Sequence, residues 1–457
     1  MIHSRSQTFV DLLACPRCGK PLVDAPPLRC ARCRVDYPDL DGLPCLFAEP
    51  SAALAEWRLR MDRLLRQWEA DAARTTRALK VADLHPLTRR RLEKLVRAQG
   101  AHLGELTQLL TPLELGDIGS ALETHLALRT RMPPAQGLTT YYSNLHRDWC
   151  WGDEENDASC ELVAAALGPC AGSQLLVLGA GGGRLAYDLH TRLTPTTTVA
   201  LDVNPLLALA AQQIVHGAQL ALHEFPLAPR QLDDVAIPRV LAAPSAVSEG
   251  FYCVLADGLR APFASDAFDV VVTPWFVDIV DEDLGLLAKR INRLLRPGGR
   301  WVIFGSLRFA HADPASCFSI EEAVAVIADA GFAPPGVVEA TIPYMCSPAS
   351  RHGRREQVVT IAANKAKRVA TPERHTALPE WLVLSNQPVP LLEPFRVQTS
   401  TTQIYAFLMS MIDGRRTLRD MALLMEEKRL MPRAEAETAI RGFLIKMYDE
   451  SQAPATL

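Results

Sequence analysis

Leu175-Leu176-Val177-Leu178-Gly179-Ala180-Gly181-Gly182-Gly183-Arg184 sets the reading of this chain. Four consecutive apolar residues predict a buried strand, and glycines at 179, 181 and 183 let the backbone turn tightly against a ligand. A second apolar run, Thr198-Val199-Ala200-Leu201, ends in Asp202, eighteen residues beyond Arg184. An acid at the tip of the second strand of a doubly wound sheet is placed to accept both hydroxyls of a ribose. Strand, glycine turn, helix, strand and acid in this order point to a nucleoside cofactor. A nicotinamide dinucleotide and S-adenosylmethionine both fit, and a tight turn without a ligand is the plain alternative.

Three downstream features separate the two cofactors. Ala256-Asp257-Gly258 follows the apolar run Tyr252-Cys253-Val254-Leu255, and an acid there can accept a hydrogen bond from an adenine amino group. Phe268-Asp269-Val270-Val271-Val272-Thr273 predicts a strand whose end borders the methyl donor. Leu294-Leu295-Arg296-Pro297-Gly298-Gly299-Arg300-Trp301-Val302-Ile303 predicts a Pro-Gly-Gly turn into a further strand. In this order the motifs resemble those of class I S-adenosylmethionine-dependent methyltransferases. The expected fold is α/β, a Rossmann-like doubly wound domain.

The chain has 457 residues, 48% of them apolar and 22% charged, with a formal charge of −4. That length accommodates several domains, and the charge gives no overall reason to expect nucleic acid as a partner. Arg89-Arg90-Arg91 with Lys94 and Arg97 forms a local basic patch that reads as the solvated face of a helix. Residues 1–10 are polar and charged with no apolar stretch after them, and no run approaches a bilayer-spanning length. A cytoplasmic location is therefore expected, with no membrane partner. Changes in pattern divide the chain into 1–50 (cysteine-bearing), 51–135 (helical, with long stretches at 57–79 and 87–110), 136–368 (alternating strand and helix), 369–394 (proline-rich linker) and 395–457 (helical).

Two of the cysteine clusters have metal-binding spacing. Cys15-Pro16-Arg17-Cys18 and Cys30-Ala31-Arg32-Cys33 each let two thiolates reach one ion, and together they complete a tetrahedron around zinc. All four positions are filled by protein, so the Zn2+ reads as structural, and the odd total of eleven cysteines argues against a disulfide framework. Cys45 reads as a buried apolar residue. The segment from Leu12 to Phe47, with Leu13-Ala14-Cys15-Pro16 and Asp41-Gly42-Leu43-Pro44, resembles the zinc ribbons that activate tRNA and protein methyltransferases.

The flanks of the central domain are more specific. His146-Arg147-Asp148-Trp149 precedes the first strand, Thr273-Pro274-Trp275-Phe276-Val277-Asp278 ends the fourth, and His311 and Phe318-Ser319-Ile320-Glu321-Glu322 follow the fifth. This succession resembles the carnosine N-methyltransferase family over about half the chain. The resemblance implies that Asn144 and Arg147 hold the methionine carboxylate of the cofactor, and that Gly179, Gly181 and Gly183 admit it. It further implies that Asp202 takes the ribose, Asp257 the adenine, and Pro274 borders the donor. Trp275, Asp278 and His311 would face the substrate, with Asp278 the catalytic group that accepts the N–H of a neutral imidazole. A helix cap for Asp278 and a core role for Trp275 are the competing readings. The late tyrosines of that family are replaced here by Ser347-Pro348-Ala349-Ser350-Arg351-His352-Gly353-Arg354-Arg355-Glu356, whose arginines could bind a carboxylate. The acceptor is accordingly read as an imidazole on a small molecule or peptide.

Residues 404–449 contain Asp413-Gly414 and a Thr417 cap before two amphipathic helices, a helix-turn-helix pattern. It resembles the winged-helix-like peptide chaperones of ribosomal-peptide modification pathways, which implies a protein partner. Nucleic-acid binding and a plain packing or dimerisation module are the alternatives. The rival to the imidazole reading is an RNA methyltransferase that grips nucleic acid with the ribbon.

Overall fold

The computed structural model describes residues 6–23, 27–116, 141–309, 313–373 and 387–452, which belong to two compact units, Met1–Leu378 and Pro379–Leu457. The ribbon, the helical region and the α/β sheet all lie within the first unit.

That unit begins with α1 (Gln7–Leu12), capped by Ser6, and the short hairpins β1 (Leu28–Cys30) with β2 (Val35–Tyr37) and β3 (Asp39–Leu40) with β4 (Leu43–Pro44). Two long helices follow, α2 (Pro50–Ala78) and α3 (Pro86–Leu109), each entered through a proline whose missing N–H costs nothing in the first turn. They match the stretches expected at 57–79 and 87–110. After α4 (Tyr142–His146) comes a π-helical turn, Arg147–Trp151, and then α5 (Asp153–Leu167).

The α/β part runs β5 (Gln174–Leu178), α6 (Arg184–Leu193), β6 (Thr197–Asp202), α7 (Pro205–Val215), a hairpin of β7 (Leu220–Glu224) and β8 (Ile237–Leu241), then β9 (Phe251–Leu255) and β10 (Phe268–Pro274). It ends with α8 (Leu284–Leu294), β11 (Leu295–Gly305), α9 (Ile320–Asp329), β12 (Gly336–Tyr344) and β13 (Arg354–Asn364). The central sheet has the order β12-β13-β11-β10-β5-β6-β9. Its strands are parallel from β11 to β9, and β13 is antiparallel to both its neighbours. Chain order reverses between β5 and β10, so the crevice at their carboxyl ends is the switch point where doubly wound sheets bind ligands.

Alternation in β5 assigns the two faces of the sheet. Leu175 and Val177 pack with Trp57 and Met61 of α2 and Leu106 and Leu109 of α3, whereas Leu176 and Leu178 pack with Phe9, Leu13 and Leu28 of the ribbon and Leu287 and Ile291 of α8. The Pro297-Gly298-Gly299 turn is corrected to an irregularity inside β11. Pairing with β10 jumps from Phe268 opposite Leu295 to Val270 opposite Arg300, and Gly298 takes φ +76°. The β7–β8 hairpin is an insertion that the strand-helix alternation did not reveal.

The N-terminal segment reaches one of the two edges of the sheet, at the carboxyl end of β9. Cys45 bridges Leu255 of β9 in parallel, and Leu46 N–H donates to Leu255 O at 2.8 Å. Beyond β9, Ala14 N–H donates to Pro262 O and Ala264 N–H to Leu12 O, so both flanks of 256–264 are tied to the ribbon. An uncovered edge strand is a site of unwanted pairing, and this contact occupies the end of β9 at Leu255.

The second unit comprises α10 (Glu393–Ser410), α11 (Leu418–Glu427) and α12 (Arg433–Gln452) around a small core of Leu408, Met411, Met421, Met425 and Ile440. Thr417 and Asp420 form the expected capping box at α11. No strand accompanies these helices among the described residues. No helix of the described residues is long and apolar enough to cross a membrane.

Candidate functional site

The glycine turn after β5 has the backbone its composition predicts. Gly179, Gly181 and Gly183 take φ of +72°, +58° and +86°, a region in which a side chain is strained. Their surroundings differ. A Cβ on Gly179 would meet the Phe276 ring at 2.8 Å, and one on Gly183 would meet Ala211 at 2.9 Å, but at Gly181 nothing lies within 4 Å. Gly179 and Gly183 are thus glycines for packing, and Gly181 alone opens onto free space.

Asp202, at the end of β6, faces this turn. Its Oδ2 accepts the Gly181 N–H at 2.8 Å and its Oδ1 accepts the Asn204 N–H at 2.8 Å. Burial pushes its carboxyl up to about 6, against the pull of these backbone donors. Asp257, after β9, accepts the Leu259 N–H at 2.9 Å and so caps the short turn Gly258–Arg260. A Cβ on Gly258 would also strike the Phe276 ring, at 2.9 Å. Phe276 therefore lies against the backbone of both the glycine turn and the Asp257 turn. Sequence reasoning missed it, although it stands between Trp275 and Asp278 in a quoted motif.

Pro274 is buried at the end of β10, in register with Phe304. The chain then turns left-handed at Trp275, φ +50°, whose N–H donates to Phe304 O at 2.6 Å and whose indole lies 5.1 Å from the Tyr344 ring. The Arg354 guanidinium sits 4.5 Å over the other partner of that pair, Tyr344. Asp278 is no helix cap; Asp283 caps α8. Its Oδ2 accepts the Arg308 N–H at 2.8 Å, while Oδ1 is buried without a partner among the described residues. Burial raises its carboxyl above the usual carboxylate range. Tyr141 belongs to the same neighbourhood, its phenol raised by burial and by the charges of Asp202 and Asp278. His311 lies outside the described residues.

The segment before β5 packs directly on the glycine turn. Asp148 Oδ2 lies 2.5 Å from where a Gly182 Cβ would stand, and Trp149 Nε1 donates to Gly182 O at 2.8 Å. Arg147, expected to face a ligand carboxylate, is already paired. Nε donates to Asp148 Oδ1 at 2.8 Å and Nη1 to Glu155 Oε1 at 2.7 Å. Glu155 in turn accepts the Met345 N–H at 2.6 Å, fastening α5 to the end of β12. The reason is charge balance, because a buried guanidinium without a fixed carboxylate would be costly. Asn144 stands partly buried on α4, one turn before this group.

The thiols of Cys15, Cys18, Cys30 and Cys33 converge, with all four sulfurs within 4.8 Å of one another. Gly19, at φ +71°, donates its N–H to Cys15 O and closes the first knuckle. Four sulfurs at these separations suit a soft cation in tetrahedral coordination. Cys45 is fully buried outside this cluster, as expected.

Residues 176–303 match a protein-family model described as a methyltransferase domain. The comparison with curated proteins finds no match. Among solved structures, the YcgJ protein of Bacillus subtilis is similar at 14% identity, over 46% of this chain and 99% of that one, with a TM-score of 0.32. A phosphoethanolamine N-methyltransferase 2 from Haemonchus contortus, in complex with S-adenosyl-L-methionine, is similar at 14% identity over 52% and 60%, TM-score 0.35. A putative methyltransferase of Haloferax volcanii, in complex with the Trm112 methyltransferase activator, is similar at 15% identity over 50% and 96%, TM-score 0.32. The family match begins in β5, ends in β11 and spans the glycine turn, Asp202, Asp257 and Asp278, so this stretch of the chain carries a methyltransferase domain.

Proposed function

We propose that the chain methylates a ring nitrogen of an imidazole carried by a small molecule or peptide. The observation that carries this reading is Asp278, three residues after Trp275, whose Oδ1 is buried and unpartnered among the described residues. A buried acceptor of that kind favours a ligand that brings an N–H donor. A neutral imidazole brings one N–H and one lone pair. Accepting the N–H at Asp278 holds the tautomer in which the other nitrogen carries the lone pair. As the N–C bond forms and the S–C bond breaks, positive charge develops on the ring, and the Asp278 carboxylate stabilises it and takes the proton. Stacking on Trp275 favours the same charge.

S-adenosylmethionine supplies an electrophilic methyl group on a sulfonium. In this reading Asp202 accepts the ribose hydroxyls, Asp257 the adenine amino group, and the open face at Gly181 admits the chain of the donor, with Pro274 beside it. Arg147 and Asn144 receive the methionine carboxylate, Arg147 through N–H groups not spent on Asp148 and Glu155. His311 is assigned to the acceptor side on the resemblance alone. The Cys15, Cys18, Cys30 and Cys33 thiolates hold a structural zinc. The division 1–50, 51–135, 136–368, 369–394 and 395–457 is retained as one of roles, with 395–457 serving a protein or peptide partner.

Labelled S-adenosylmethionine offered with free histidine, imidazole dipeptides, histidine peptides and bulk RNA tests the proposal. Label is expected on an imidazole nitrogen, and transfer confined to RNA would overturn it. Asp278→Asn is expected to lower kcat by about a hundredfold, the size of a lost general base or charge stabiliser, with donor affinity unchanged. Undiminished turnover removes the role assigned to Asp278.

A further inference from the structure

The basic patch of α3 divides in the folded protein. Arg89 donates to the carbonyls of Leu79 and Val81 and so serves the α2–α3 connection. Arg90, Lys94 and Arg97 recur at four and three residues, which places them on one helix face. With His223 of β7 and Asp233, they line a cavity of about 500 Å³ between α3 and the β7–β8 insertion. None of these residues belongs to the methyl-transfer site.

The charges of this cavity are incompletely balanced from within. Asp233 is its one carboxylate among the lining residues, at 3.7 Å from Arg90 and 3.6 Å from Lys94, and it is itself two-thirds exposed. Arg97 makes no ion pair among the described residues. Glu105 is not among the lining residues; its Oε1 lies 2.9 Å from His223 Nδ1 and its Oε2 accepts the His223 backbone N–H at 3.0 Å. That clamp fixes the imidazole and leaves Nε2 as the ring nitrogen free for a ligand.

We propose that this cavity binds the phosphate group of a phosphate-bearing small molecule. Two guanidinium forks and an ammonium match the several oxygens of a phosphate, and a dianion displaces a single loosely held carboxylate. A concave cavity of this volume suits a small molecule. An extended nucleic-acid track would need a continuous basic face, which the diversion of Arg89 interrupts.

Inorganic pyrophosphate titrated into the full-length protein at low ionic strength, followed by calorimetry, tests the site. Saturable binding with one ligand per chain is expected, unaffected by saturating S-adenosylhomocysteine. Arg97→Glu is expected to weaken it at least about tenfold while leaving the affinity for S-adenosylhomocysteine intact, which also shows that the variant folds. Absence of saturable binding overturns the proposal, as does an unchanged affinity in Arg97→Glu or displacement of pyrophosphate by S-adenosylhomocysteine. A short single-stranded RNA that binds and is not competed by pyrophosphate identifies an open electrostatic face instead, and that too overturns it.

Discussion

Asp202 serves the backbone, and the proposed function asks it to serve the donor's ribose as well. Each of its oxygens already accepts one backbone N–H, and each retains a lone pair for a ribose hydroxyl. Burial raises the carboxyl to about 6, so near that pH part of the free enzyme carries a proton that spoils it as an acceptor. Donor binding favours the ionised form. The dissociation constant for S-adenosylmethionine, measured by calorimetry, should therefore fall as pH rises through about 6 and level off near neutrality. Asp202→Asn should bind weakly with no such step; a step that persists in that variant would assign it to another group. Direct binding is the proper readout, because the protonation of an imidazole acceptor would bend the pH profile of turnover.

The contact between the helical region and the sheet is pH-sensitive for a different reason. His102 of α3 and His146 of α4 are both buried, and burial pushes each down to about 3 from an ordinary value of 6.5. They are packed among Trp68 of α2, Tyr142, Phe225 and the Glu105–His223 pair, with Arg239 adding to the depression at His146. A depressed value means that the unfolded chain binds protons the folded one refuses. The stability from these two groups is complete above pH 6.5 and is lost as pH falls toward 3, at about 2 kcal/mol per histidine by pH 5. The rise at Asp202 acts in the opposite sense and recovers part of that. A melting series from pH 7.5 to pH 5 should show the net loss, and His102→Gln should flatten it. The same pH dependence in His102→Gln as in the unaltered chain would show that His102 titrates normally.

The N-terminal cysteine-bearing segment is bound to the sheet rather than appended to it. Its backbone bridges β9 at Leu255 and ties both flanks of the 256–264 segment, and Phe9 stacks on Tyr252 at 4.1 Å between ring centres. If zinc holds the four thiolates together, a strong chelator should loosen these contacts along with the ribbon. The expected result is a melting temperature of the whole chain lower by about 5 °C or more, restored by adding zinc back. An unshifted transition after metal loss, verified by elemental analysis, would mean that the ribbon keeps its fold by packing alone.

The whole molecule divides at residue 378, well after the last strand of the sheet. The second unit has its own core of Leu408, Met411, Met421, Met425 and Ile440, so truncation at the boundary leaves no half-made hydrophobic core behind. Removal of 379–457 should leave the melting temperature of the first unit and its affinity for S-adenosylmethionine unchanged. If this module presents a peptide acceptor, the truncated enzyme should show a raised KM for that acceptor while keeping kcat on a small imidazole. Loss of donor binding on truncation would show the two units to be one folding entity.

Much of this arrangement is legible in short stretches of sequence. The apolar run and spaced glycines at 175–183, the paired cysteines, the helices of 51–135 and the Thr417 cap are all local patterns, and local sterics and periodicity bind each to its structure. Other features join residues far apart in the chain. Phe276 lies against two glycine turns, Arg147 is shared by Asp148 and Glu155, and Trp275 meets Tyr344. The β7–β8 insertion brings His223 to the basic face of α3, and Leu46 meets the end of β9. Such contacts depend on which surfaces the packed sheet brings together, and no spacing along the chain encodes them. Residue order thus points to a methyltransferase domain, while the surroundings of Asp278 and the basic cavity come into being only when distant segments pack.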